Sequence, residues 1–161
     1  MSIDKQKIIQ TVRDALADEL RALTGAAKAA REAATHEESK AEDHHDTRSV
    51  EAAYLAGAQA DRVAELERLA LVFRFFPVRD FAPEAVIEPG ALVELETNET
   101  RAFYLIVPQG GGLVTRVEGQ AVQMITPLSP MGEALLGRKR GDDVTIETRS
   151  GDREYAILSV R

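Results

Sequence analysis

The sequence predicts an α+β protein: an antiparallel pair of long helices, then a small antiparallel-sheet domain carrying one short helix. Three observations predict it. All 6 Pro and most of the Gly lie from Pro77 onward, while residues 1–76 hold no Pro and are crowded with Ala, Leu, Glu, Arg and Asp. Apolar residues in the first part recur at three- and four-residue spacing, the period of a helical stripe. Those in the second part come in short runs of strand length, rich in Val, Ile and Thr. The boundary is therefore set between residues 76 and 77, giving an arm over 1–76 and a compact domain over 77–161.

Within the arm, Ile9, Val12, Leu16, Leu20, Leu23, Ala27 and Ala30 form one stripe, with Arg13, Asp14, Asp18 and Arg21 largely beside it. A second stripe runs through Ala56, Gln59, Val63, Leu66, Ala70 and Phe73. Both turn alanine-rich toward the middle of the segment, and small facing residues let two helices approach closely. The two stripes therefore predict an antiparallel hairpin. Between them, from His36 to Arg48, no side chain beyond Ala41 is apolar, which marks the tip. A helix over residues 49–76 spans roughly 40 Å at 1.5 Å per residue. Such an arm buries little for its length, so its reach reads as functional.

In the second part, residues 92–96, 102–107 and 121–125 read as strands, and 113–117 as a short strand before Gly119. Gly110, Gly111 and Gly112 make a turn. Ser129 and Pro130 then open a short helix over 130–136, because a serine hydroxyl accepts an orphan amide and Pro tolerates the first helical position. Gly137 closes it. Residues 144–148 and 154–160 form a hairpin closed at Ser150 and Gly151. Leu135, Leu136, Val144, Ile146, Ile157 and Val160 are the expected core, and residues 78–161 are expected to fold alone.

Charge and composition narrow the function. A net charge of -7 and a pI near 5.1 argue against independent DNA binding through a basic surface. They favour a basic protein surface, or a site where metal-bound nucleic acid meets a carboxylate. With no Cys there are no disulfides or thiolate ligands, which fits a reducing compartment. The polar N-terminus reads as no secretory signal, and no apolar run approaches the roughly 20 residues of a membrane helix. A soluble cytoplasmic protein is expected. His44 and His45 beside Asp43 and Asp46 suggest a transition metal, but no third ligand has a compelling spacing, and solvated histidines are the plainer reading.

The run from Met124 to Asp143 carries Ser129-Pro130 and Gly137-Arg138-Lys139. Gly141-Asp142-Asp143-Val144 and Gly151-Asp152-Arg153-Glu154-Tyr155 follow. In the arm stand Glu51-Ala52-Ala53-Tyr54 and Glu65-Leu66-Glu67. Collinearly, these resemble the bacterial Gre transcript-cleavage factors. The resemblance implies a domain like the FK506-binding proteins at the C-terminus and a coiled coil at the N-terminus. It implies that the domain docks on the rim of RNA polymerase's secondary channel while the coil enters it, toward the 3′ end of nascent RNA. Acidic tip residues then help to hold a catalytic Mg²⁺ and its water, so that polymerase cuts its own backtracked RNA. The chain would be no enzyme itself and would carry no cofactor of its own.

The tip offers Glu37, Glu38, Glu42, Asp43, Asp46 and Glu51. Asp46 is the nearest match to the family's leading aspartate. A glutamate follows that aspartate by three residues in the family; here Ser49 stands there and Glu51 lies two further on. Asp43, Asp46 and Glu51 are the metal-assisting candidates. The departure at Ser49 keeps a second reading open, a non-cleaving regulator that competes for the channel. The docking candidates are Leu128, Ser129 and Pro130, with Leu128 where the family usually has a polar residue; it could bury into a partner or into the domain. Lys28, Arg31, Lys40 and Arg48 read as RNA-phosphate contacts or as ordinary surface charge. A prolyl isomerase would need an aromatic-lined pocket, and the chain has no Trp and 5% aromatic residues. A self-associating coiled-coil adaptor is the remaining class.

Overall fold

Without a Pro to interrupt the backbone ladder, residues 1–76 form two long helices, α1 (Lys5–Glu38) and α2 (Thr47–Arg74). The computed structural model describes residues 3–38 and 47–161. Asp4 caps α1, its carboxylate accepting from the Gln6 amide at 2.8 Å. Ile9, Val12 and Leu16 are buried, as are Leu66 and Phe73. Leu20, Leu23, Ala27, Val63 and Ala70 are half-buried, while Ala30 and Ala56 are exposed.

Cross-links fix the direction of the hairpin. Arg13 donates to the carbonyls of Phe73 at 2.7 Å and Arg74 at 2.8 Å, answering acceptors at the end of α2. Arg62 pairs with Glu19 at 2.7 Å. Advancing along α1 from residue 13 to residue 19 thus retreats along α2 from 73 to 62, which is an antiparallel pair.

Six strands follow: β1 (Leu92–Thr97), β2 (Thr100–Ile106), β3 (Val114–Val117), β4 (Gln120–Ile125), β5 (Asp143–Thr148) and β6 (Gly151–Val160), with helix α3 (Pro130–Leu135) between β4 and β5. The sheet order is β3-β4-β2-β1-β6-β5. One pairing departs from the antiparallel sheet expected from sequence. β2 and β4 run parallel, so the sheet is mixed. The cause is local: Glu118 and Gly119, both at positive φ, fold β3 tightly back on β4. The glycine-rich crossover carries β3 to the outer edge and leaves β4 beside β2. Asn98 and Glu99, also at positive φ, close the β1–β2 hairpin.

One face of the sheet holds the main core. Val93, Leu95, Ile106, Ile125, Val144, Ile146, Tyr155, Ile157 and Val160 gather there with Leu135 of α3, and Leu136 packs at the margin. On the opposite face the register pairs Leu92 with Leu105, Leu105 with Met124 and Phe103 with Val122, all buried.

Chain contacts divide the molecule into Met1–Val12 with Phe75–Arg161, and Arg13–Arg74. The second crossing falls two residues from the boundary expected at 76 and 77. The first, at Val12 and Arg13, lies where the sequence reading places none. Buried Ile3, Ile8 and Ile9 therefore belong with the sheet, and Lys7 pairs with Glu118 at 2.6 Å beside the β3–β4 turn. Lys5 anchors the segment. Its amine donates to the carbonyls of Arg79, of Gly90 at 3.1 Å and of Arg161 at 2.9 Å, and lies over the Phe81 ring, 4.7 Å from its centroid.

Burial lowers the Lys5 amine to about 8, with Asp80 opposing and Arg79 assisting. At neutral pH it remains protonated. Between about 8 and 10.5 the unfolded chain holds the proton that the folded chain has released, so this linkage raises stability as pH rises through that window. Lys5→Met is expected to destabilise the chain by about 2 kcal/mol at pH 7, because buried carbonyls lose a donor. Its deficit relative to the parent should widen as pH rises through the same window; parallel urea-unfolding profiles would refute this. A fragment over 78–161, lacking Lys5 altogether, is expected to melt below the full chain.

Candidate functional site

The corner between β4 and α3 is organised around one carbonyl. As β4 ends, the Thr126 oxygen accepts from the Ser129 amide at 3.0 Å and from the Ser129 hydroxyl at 2.7 Å. The same hydroxyl accepts from the Gly132 amide at 3.1 Å, so Ser129 caps α3 and closes the turn that leads into it. Pro130 follows at the first helical position, where no amide is needed.

Buried Gly132 makes the closure feasible. A Cβ there would stand 2.0 Å from the Thr126 carbonyl oxygen. Beyond α3, Gly137 turns the chain at positive φ. Its amide donates to Ile87 at 2.9 Å, and the Ile87 amide donates to Arg138 at 2.7 Å. Asp142 accepts from the Lys139 amide at 3.0 Å, ordering the basic turn that follows. The helix is thus stitched at both ends, with Leu135 in the core.

Leu128 stands on this fixed corner and is 86% exposed. Of the two possibilities the sequence left for it, burial in the domain is excluded. The turn therefore holds a large apolar side chain out in solvent. Pro130 is also exposed, and Ser129 is half-buried by its capping role. Sequence reasoning missed Thr126 and Gly132. A glycine three residues after a capping serine was the available signal, and it reads as a weak helix position until the Thr126 carbonyl is seen against it.

At the tip, Asp43 and Asp46 lie outside the described residues, as do Glu42, His44, His45 and Lys40. Glu51 is described and exposed, early in α2. Since Ser49 is in the same helix, residue 51 sits about 200° around the axis from it. Glu51 therefore cannot present its carboxylate where one at position 49 would point. Lys28 and Arg31 are exposed. Among the described residues no group of three His, Cys, Asp or Glu is gathered to hold a metal ion.

Nothing in the described residues favours an isomerase. A surface depression lined by Thr97, Asn98, Thr148, Asp152, Arg153 and Glu154 is polar and lacks an aromatic wall. Phe81 lies under Lys5 and Arg79, while Phe103 and Tyr155 are buried. Among the described residues no helix is long and apolar enough to cross a membrane.

Comparison with known proteins points to one family. Residues 82–161 match the family model for the C-terminal domain of the transcription elongation factors GreA and GreB. The transcription elongation factor GreA of Thermotoga petrophila is 26% identical over 105 residues, 65% of this chain and 63% of that protein. The match therefore spans just under two thirds of that relative's length. GreA of Xanthomonas axonopodis pv. citri is 33% identical over 69 residues, 43% of this chain and 39% of that protein. The transcription inhibitor protein Gfh1 of Thermus aquaticus is 27% identical over 121 residues, 73% of each chain.

Proposed function

From the premise that this chain is GreA/GreB-like, we propose that it binds RNA polymerase at the secondary channel. The corner at Leu128, Ser129 and Pro130 docks on the rim, and the α1–α2 arm reaches inward. Leu128 carries the reading: an exposed leucine on a corner pinned by Ser129 and Gly132. Burying such a side chain against a partner contributes about 1.5–3 kcal/mol, and a preorganised corner spares the cost of ordering it. α2 alone, with 28 residues, is roughly 40 Å long.

At the channel's end, Asp43, Asp46 or Glu51 would add a hard oxygen ligand to polymerase's Mg²⁺, the ion that activates water and stabilises the leaving oxygen. The chain's own contribution is charge and position near the 3′ end of the RNA. The reaction belongs to polymerase, so the protein is not itself an enzyme, and this partner would place it in the cytoplasm. A second reading has its own support. Ser49 stands where the family's glutamate would be, Glu51 is turned away from that direction, and the similarity to the inhibitor Gfh1 runs the length of 121 residues. On that reading the chain occupies the channel without stimulating cleavage.

Docking can be tested separately from cleavage. Leu128→Glu and Pro130→Glu are each expected to weaken polymerase binding tenfold or more, which corresponds to about 1.4 kcal/mol. Far-UV circular dichroism and urea unfolding should change little, since both side chains are exposed. Parent-like affinity in both variants would move the docking surface elsewhere.

A further inference from the structure

Resting on the docking proposed at Leu128, we infer that the free edge of β3 takes an extended, acidic segment of RNA polymerase as a seventh strand. β3 stands at one end of the sheet order. The two-residue turn at Glu118 and Gly119 makes Val117 with Gln120 the first hydrogen-bonded pair and Thr115 with Val122 the next. The amides and carbonyls of Val114 and Arg116 therefore point away from β4, toward solvent. Their side chains share a face with Ala121 and Gln123, and all four are exposed, Val114 at 62%. The two free edges of the sheet differ in sign. β5 shows exposed Asp143 and Glu147, while β3 shows Arg116. A charge on an edge discourages most strands and matches one that carries the opposite charge.

Position ties this edge to the docking corner. The Gly112 amide donates to the Met124 carbonyl at 2.9 Å. Gly111 lies against Thr126, where an added Cβ would stand 3.1 Å from the Thr126 methyl. The Thr126 carbonyl in turn holds the corner that carries Leu128, so the glycine crossover joins that corner to the start of β3. In a chain that is 29% charged, residues 107–132 hold two charged side chains, Arg116 and Glu118. Lys7 pairs with Glu118, and among the described residues no carboxylate pairs with Arg116. The stretch thus carries one unanswered charge, and it is positive.

That charge selects the occupant. A nucleic acid repeats its negative charges and is held by several cations. One arginine suits one carboxylate, which its guanidinium grips through two hydrogen bonds. The β3 edge of a second copy would bring another Arg116 in place of a carboxylate. Polymerase docked at Leu128 would present its neighbouring segment to β3 at high effective concentration.

Hydrogen exchange of the full chain, alone and with RNA polymerase, tests this. The amides of Val114 and Arg116 are expected to slow on binding, because each gains a strand partner. Val114→Pro deletes one of those amides and leaves the β3–β4 bonds in place. That variant and Arg116→Glu should each weaken binding about tenfold, the scale of one or two hydrogen bonds. Leu128→Glu reports the corner separately. If it weakens binding while both amides exchange unchanged and both edge variants bind like the parent, the corner stands and the seventh strand falls. A parent that fails to bind polymerase removes both. Growth of the chain's sedimentation coefficient with concentration, without polymerase and abolished by Arg116→Glu, would overturn the choice of partner. It would assign the β3 edge to the acidic β5 edge of another copy, a head-to-tail contact.

Discussion

Gly132→Ala is expected to destabilise the C-terminal unit by about 3 kcal/mol or more and to abolish docking on polymerase. The added Cβ would stand 2.0 Å from the Thr126 oxygen and 2.9 Å from its carbonyl carbon. Neither is the free end of a flexible side chain. Overpacking ordinarily costs about 1–3 kcal/mol, and here the only relief is to move backbone. Moving the Thr126 carbonyl breaks its bonds to the Ser129 amide and hydroxyl, and with them the cap on α3, itself worth about 1 kcal/mol. Gly137→Ala provides the contrast. Its Cβ would meet nothing within 4 Å, so its cost is that of a positive φ alone, about 1 kcal/mol. Urea midpoints that fall equally in the two variants would show that the Thr126 contact does not hold the corner. Binding should follow the same order, because Gly132→Ala displaces Leu128 while Gly137→Ala leaves it in place.

That corner was half legible in the sequence, and the reason is range. Ser129, Pro130 and Gly137 act within one helical turn, so their residue types announce the start and stop of α3. The hairpin of β5 and β6 and the core residues Val144, Ile146 and Ile157 are equally local, set by alternation and a turn. Gly132 was not legible because its need for a bare Cα comes from Thr126, across a turn that the sequence does not draw. Lys5 is the extreme case: its carbonyl partners lie 74, 85 and 156 residues away. A lysine among charged neighbours reads as solvated. Periodicity also runs unbroken through Val12 and Arg13, so the point where α1 leaves the sheet's unit left no mark. The parallel pairing of β2 with β4 was hidden likewise, since alternation identifies a strand and is silent about its neighbour. At the tip the limit is different. On the proposed reading, a carboxylate's role there would be set by an ion belonging to another molecule.

The carboxylates at the tip are where the two readings of the protein part. On a stalled, backtracked polymerase complex, Asp46→Asn keeps the side chain's shape and removes its charge. If the chain stimulates cleavage, that substitution is expected to lower stimulation on the order of a hundredfold, the loss of a few kcal/mol at a metal-bound transition state. Binding, proposed to rest on the Leu128 corner, should be unaffected. Glu51→Gln should have a smaller effect, because residue 51 lies about 200° around α2 from the position of the family's glutamate. Unchanged stimulation in both variants would remove the tip from the mechanism. A parent that binds polymerase and never stimulates is the non-cleaving regulator, and Ser49→Glu then becomes the decisive variant. It restores the three-residue spacing from Asp46 on the helix face that Glu51 cannot reach. Cleavage is expected to appear in Ser49→Glu without any gain in affinity, and its failure to appear would mean that more than one carboxylate separates this chain from a cleavage factor.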